Sequence, residues 1–265
     1  MEKQVFNLWD GEIPGYIDGE EIPILTYYPS NNKRGHGAVL ICAGGGYSHR
    51  ALHEGEGYAL YLNDQGLDTF VVNYRVLPYR FPCALTDARR AIRFIRKNAD
   101  KFGINPDKIA IMGSSAGGHL SALVSTYRGK TELEGIDELD TVNCRPNFQI
   151  LCYPVIEAAT GHPGTFINLL GDKEEELRDT VTPSLIADSD TPPAFIWHTA
   201  TDPIVNVTNT YNYAKRLREL EIPVELHIYP LGKHGLGLAP QEENKHIRSW
   251  ARLLVDWLDL MGFYS

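Results

Sequence analysis

Several things are scarce in this sequence, and each shortage removes a class of protein. No run of Lys and Arg appears, and the formal net charge is −9. Nucleic acid and anionic membrane surfaces are therefore poor partners, because both require clustered positive charge. No stretch approaches the ~18 apolar residues of a membrane-spanning helix, and the N-terminal MEKQVFNLWDGE has no apolar leader segment. There are only four cysteines, Cys42, Cys83, Cys144 and Cys152, and none forms a CxxC pair. Cys42 and Cys152 sit in apolar, strand-like runs, where cysteine acts as a small core residue. The expectation is a cytoplasmic protein with reduced thiols. Internal repeats, low-complexity tracts and Pro/Ser-rich linkers are also missing, so the 265 residues read as one domain, with a homo-oligomer left open.

What is present is a regular alternation. HGAVLICA (36–43), LDTFVVNY (67–74), DKIAIMG (107–113), NFQILCYPV (147–155), PPAFIWHTA (192–200) and VELHIYPL (224–231) read as buried strands. Between them, 53–66, 82–103, 117–127, 208–220 and 242–262 read as helices. In 82–103, apolar Ala84, Ala88, Ile92 and Ile95 share one face and basic residues the other, with Gly103 as the C-terminal cap. IPILTYYP (22–29) and the first residues suggest an antiparallel entry. This order predicts an α/β fold with a mostly parallel sheet of about eight strands and helices on both faces. Residues 128–146 and 156–191 are expected to be irregular, and 156–191 is the candidate cover for an active site.

Gly113-Ser114-Ser115-Ala116-Gly117 fits G-x-S-x-G with Ser115 at its centre; Met112 rules out the same pattern around Ser114. The motif gains meaning from its position, where a buried strand ends and a helix begins. A sharp turn there needs small neighbours and lifts the serine oxygen above the sheet. A serine nucleophile needs a base, and the base needs an orienting acid, each on a loop after a later strand. Asp202 follows PPAFIWHTA and His234 follows VELHIYPL, in the order the elbow requires. Asp188 and Asp190 precede their strand, on the opposite edge of the sheet. His198, inside a strand, reads as a core histidine, and His119 as a packing residue beneath the elbow. Ala43-Gly44-Gly45-Gly46-Tyr47 follows the strand 36–43, where backbone N–H groups of Gly45 and Gly46, with that of Ala116, can face a developing oxyanion. His49 and His53 are four apart, but no third ligand accompanies them, so no metal is expected. No G-x-G-x-x-G follows the first strand, and no cofactor is expected.

The combination AGGGY, NYR (73–75), DARRAIRFI, GSSAGGHLSA, TDPIV and KHGLG resembles the α/β-hydrolase superfamily, and within it the acetyl-esterase, xylan-esterase and hormone-sensitive-lipase-like branch. The likeness runs from about residue 20 to the end. Many relatives carry His-Gly-Gly-Gly where this chain has Ala43-Gly44-Gly45-Gly46; GGG followed by an aromatic is similar to carbohydrate acetyl and feruloyl esterases. The resemblance implies a serine carboxylesterase working through an acyl-enzyme, with an ester or acetylated oligosaccharide as substrate. Tyr47 would then stack on the sugar at the mouth, with His49 beside it. The alternatives are a general short-chain carboxylesterase, a small dipeptidyl-peptidase-like serine peptidase and a non-catalytic receptor.

Overall fold

Residues 2–241 and 244–264 are described by a computed structural model. The strands are β1 (Gln4–Asn7), β2 (Ile24–Tyr28), β3 (Ala38–Cys42), β4 (Asp68–Asn73), β5 (Ile109–Ser114), β6 (Phe148–Cys152), β7 (Ala194–Thr199) and β8 (Val224–Tyr229). They join in one sheet in the order β1-β2-β4-β3-β5-β6-β7-β8. β2 pairs antiparallel with β1 and β4, as its sequence suggests, and β4-β3-β5-β6-β7-β8 are parallel. The helices are α1 (Leu52–Asp64), α2 (Cys83–Lys97), α3 (Ala99–Phe102), α4 (Ser115–Thr126), α5 (Pro163–Leu170), α6 (Glu174–Leu177), α7 (Pro183–Ile186), α8 (Thr208–Glu219) and α9 (Ser249–Leu260).

The two-residue period of the strands divides the core. Val39, Ile41, Val71 and Met112 pack with Tyr58 and Leu62 of α1 and with Trp250, Leu254 and Trp257 of α9. Leu40, Cys42, Phe70 and Ile111 pack on the opposite face with Ala88, Ile92 and Ile95 of α2 and Leu120 of α4. On that second face, Tyr213 and Leu217 of α8 cover Leu151 and Ile196. Because both faces are covered, continuous apolar runs can serve as strands.

Four local expectations need correction. The segment 82–103 is two helices, not one: the Asn98 amide donates to the Phe94 carbonyl at 2.8 Å, a side-chain bond that competes with continued helix. Gly103, with φ +63°, caps the second of them. The closing helix starts at Ser249 rather than 242, since Arg248 donates back to the Ala239 and Pro240 carbonyls and holds a turn there; residues 242 and 243 lie outside the described residues. The segment 156–191 is largely helical. Its prolines at 163 and 183 occupy first helical positions, where the missing N–H costs nothing. Finally, the basic face of α2 is not solvated. Arg89, Arg90 and Arg93 are buried beneath the 128–146 segment, whose Glu134, Asp137 and Asp140 pair with them.

Candidate active site

β5 is buried along its whole length and passes directly into α4 at Ser115. A Cβ on Gly113 would overlap the Gly117 carbonyl, and one on Gly117 would overlap the Cys42 carbonyl. Only glycine allows this approach of strand, helix and neighbouring strand. Ser115 itself takes φ +53°, a left-handed conformation that an L-residue adopts at a cost of about 1–3 kcal/mol. The turn separates the two serines. Ser114 is fully buried, with its hydroxyl 2.8 Å from Tyr58 Oη, whereas Ser115 is partly exposed.

The loops after β7 and β8 bring Asp202 and His234 to Ser115. His234 Nε2 lies 2.8 Å from Ser115 Oγ, and His234 Nδ1 lies 2.6 Å from Asp202 Oδ2. A carboxylate only accepts, so Nδ1 carries the proton and Nε2 is free to accept the serine hydroxyl. The Asp202 side chain is fully buried. Its Oδ1 accepts the N–H groups of Ile204 at 2.8 Å and Val205 at 3.0 Å, and its Oδ2 also accepts His198 Nε2 at 3.2 Å. Burial would raise this carboxyl, but the hydrogen bonds from His198 and His234 prevail and hold it well below the usual carboxylate range. It stays ionised wherever the fold persists.

Gly44, Gly45 and Gly46 run past the serine: a Cβ on Gly44 would sit 3.2 Å from Ser115 Cβ. Among the described residues, the N–H groups of Gly45 and Gly46 donate to no backbone carbonyl. The Ala116 N–H belongs to the first turn of α4, where backbone donors have no partner within the helix. Asn168 of α5 donates to the Gly46 carbonyl at 2.8 Å and fixes the loop from the 156–191 side.

Tyr47 does not stand at the mouth. It is 2% exposed, its ring lies edge-on to Tyr74 and His119, and its hydroxyl donates to His119 Nδ1 at 2.8 Å. Positive φ at Tyr47 turns the side chain inward. His119 Nε2 in turn donates to the Val181 carbonyl at 2.8 Å, and burial pushes its imidazole down to about 4, so it is neutral. His49 is exposed on the same loop, with Nδ1 3.0 Å from Ser48 Oγ. His53 Nε2 faces the Gly235 carbonyl at 3.0 Å. Asp188 pairs with Arg128, away from the site.

Three neighbours complete the site: His198, which the sequence reads as a core histidine, and Tyr153 and Glu54, which it does not single out. His198 holds Asp202 from behind; the signal was its place four residues before that acid. Tyr153 lays its ring edge-on to His234 with centroids 5.1 Å apart. Glu54 is 3% exposed beneath the glycine loop; it shares a helical face with Tyr58 and Leu62, and an acid on an apolar stripe was the signal.

Several known proteins are similar to this chain. The chain is 37% identical over 230 residues to endo-1,4-beta-xylanase B of Butyrivibrio fibrisolvens, covering 83% of this chain and 36% of that protein. It is 36% identical over 228 residues to an acetylxylan esterase of Xylanibacter ruminicola, covering 83% and 45%. It thus spans less than half the length of these curated relatives. Among solved structures, an acetyl ester-xyloside bifunctional hydrolase from Caldicellulosiruptor lactoaceticus superposes with TM-score 0.91 at 39% identity, covering 98% of this chain and 97% of that one. An alpha/beta hydrolase enzyme from a Medee basin deep-sea metagenome library superposes with TM-score 0.74 at 29% identity, covering 98% and 97%. Residues 25–217, from β2 into α8, match the BD-FAE family, and the chain, on its α/β-hydrolase fold, belongs to that family.

Proposed function

We propose that this chain is a serine carboxylesterase that removes short acyl groups, acetyl foremost, from sugars or oligosaccharides. The observation that carries the reading is the continuous relay of Ser115, His234 and Asp202 at 2.8 and 2.6 Å beside a loop of undirected N–H donors. Ser115 Oγ attacks the ester carbonyl while its proton passes to His234 Nε2. Asp202 stabilises the resulting imidazolium, and the N–H groups of Gly45, Gly46 and Ala116 receive the oxyanion; each such donor is worth about 10²–10³ in kcat. His234 then returns the proton to the departing sugar hydroxyl, leaving acetyl on Ser115. Water repeats the sequence and frees acetate.

The sugar assignment draws on the names of the relatives, an acetylxylan esterase and an acetyl ester-xyloside hydrolase. It also draws on a cleft of about 550 Å³ that opens where His49 follows the glycine loop, with polar Glu21, Ser48 and Arg50 and apolar Ile22, Leu52 and Leu77 in its lining; Ser115 and His234 lie outside that lining. Segment 156–191 reaches the glycine loop through Asn168, which donates to the Gly46 carbonyl. We place its action in the reducing cytoplasm, because all four cysteines are unpaired. No helix among the described residues is long and apolar enough to cross a membrane.

The test is a panel of aryl esters of increasing acyl length, run beside acetylated xylo-oligosaccharides and an aminoacyl-anilide. Acetyl should exceed butyryl and clearly exceed octanoyl in kcat/KM, and the xylo-oligosaccharides should release acetate. An optimum at octanoyl overturns the substrate class, and cleavage of the anilide in place of the esters makes the protein a peptidase.

A further inference from the structure

The esterase mechanism gives Glu54 nothing to do, yet the side chain is buried at the centre of the site. Its Oε2 accepts the Gly44 N–H at 2.9 Å, and its Oε1 accepts the Tyr153 hydroxyl at 2.6 Å. The Tyr153 oxygen accepts the Gly237 N–H at 2.9 Å and lies 3.2 Å from Tyr58 Oη, which reaches Ser114 Oγ at 2.8 Å. A single carboxylate therefore ties together the glycine loop, the strand that carries the nucleophile and the loop that carries His234. The approach at Gly44 is so close that a Cβ there would overlap Glu54 Oε2.

Both Glu54 oxygens accept, which is the bonding pattern of a carboxylate rather than an acid. Among the described residues no Arg or Lys pairs with it; the one basic side chain that does is His53, with Nε2 at 3.8 Å on a side chain 59% exposed. A buried charge without a permanent counterion is costly unless something uses it. Positive charge appears during the reaction at His234, whose ring meets the Tyr153 ring edge-on with centroids 5.1 Å apart.

We infer that Glu54 is a positioning residue for the esterase reaction, acting through Tyr153: it locks the oxyanion loop and the histidine loop against Ser115 and favours the protonated state of His234. This rests on the esterase reading above. Around His234 stand Asp202, Ser115 and Tyr153, with His198 behind Asp202 and exposed Lys233 beside it in the chain. Around Glu54 stand His53, Tyr153, Tyr58, Tyr74 and Cys152; burial pushes the Cys152 thiol up to about 12 and the three phenols higher than usual, so all four are neutral.

The experiment is the pH profile of kcat/KM and kcat on an aryl acetate for wild type, Glu54→Gln, Glu54→Asp, Tyr153→Phe and His53→Gln. Removing a negative charge near an imidazolium lowers its pKa, so the ascending limb of Glu54→Gln moves to lower pH by about half to one unit. Its kcat falls about 10- to 100-fold, with KM within about twofold. Glu54→Asp keeps the wild-type midpoint, and His53→Gln leaves the midpoint in place, which removes His53 as the source. Tyr153→Phe lowers kcat because Gly237 loses its acceptor. Should Glu54→Gln fail to fold, Glu54→Asp and Tyr153→Phe decide: wild-type kcat in Tyr153→Phe overturns the inference. A folded Glu54→Gln with an unmoved midpoint, even if less stable, also overturns it. Absence of ester hydrolysis in the wild type is a different result and refutes the underlying reading instead.

Discussion

Where β4 turns into α2, Arg75 clasps Asp87 with Nε and Nη2 at 2.8 to 3.1 Å, and both side chains are essentially inaccessible. Beside them Arg89, Arg90 and Arg93 meet Glu134, Asp137 and Asp140. At the C-terminal edge of the same sheet Asp202 is buried as completely, but its partners are two imidazoles and two backbone N–H groups. Guanidinium is charged at every pH the fold meets, so these arginine pairs are fixed, and they fasten the 128–146 segment and the β4–α2 turn. Imidazole can be neutral and then charged, so the pairing around Asp202 can change within one turnover. The same chemistry of buried carboxylates therefore serves architecture in one place and proton transfer in the other.

That contrast can be broken from either side. Asp202→Asn should lower kcat about 10⁴-fold, because the imidazole loses the partner that fixes its tautomer, a loss of turnover far larger than any shift in thermal denaturation. Asp87→Ala should do the opposite. It strands a buried guanidinium and should cost roughly 3–5 kcal/mol in denaturant unfolding, with kcat per folded molecule preserved. Acid sharpens the difference further. His119 is neutral in the fold, with a pKa near 4 against 6.5 in the unfolded chain, so its contribution is complete above 6.5 and is lost as pH falls toward 4. The loss amounts to at most about 1.4 kcal/mol per pH unit. Melting temperature should therefore drop across this window, and drop less in His119→Gln. Asp137, which the Arg90 hydrogen bond holds below the usual range, keeps its contribution until the pH falls below its unfolded value of 3.8. The smallest effect is expected at Tyr47→Phe: about 1 kcal/mol of stability from the lost bond to His119, with no change in KM for acetylated xylo-oligosaccharides.

The centre of the sheet was legible because β3, β5, β6 and β7 are buried on both faces and read as largely apolar runs. The elbow was legible because only small residues can occupy 113, 116 and 117, and Asp202 and His234 because topology restricts them to loops after later strands. What could not be read depends on direction and on distant pairing. Whether Tyr47 points outward is decided by one positive φ. The acids of ELEGIDELD fall in a segment expected to be irregular, and nothing local announces that they cover α2 from more than 40 positions away. Segment 156–191 was expected to be irregular, but its Pro163 and Pro183 begin helices. Glu54 reaches the site from a helix whose pattern reveals its burial but not its partners.

The central claim, that Ser115 is the nucleophile of this relay, is tested most directly by labelling with an active-site fluorophosphonate followed by peptide mapping. The account predicts one adduct, on Ser115, that persists in Ser114→Ala and disappears in Ser115→Ala together with aryl-acetate hydrolysis, kcat falling at least ~10³-fold. An adduct on Ser114, or hydrolysis that survives in Ser115→Ala, would contradict it.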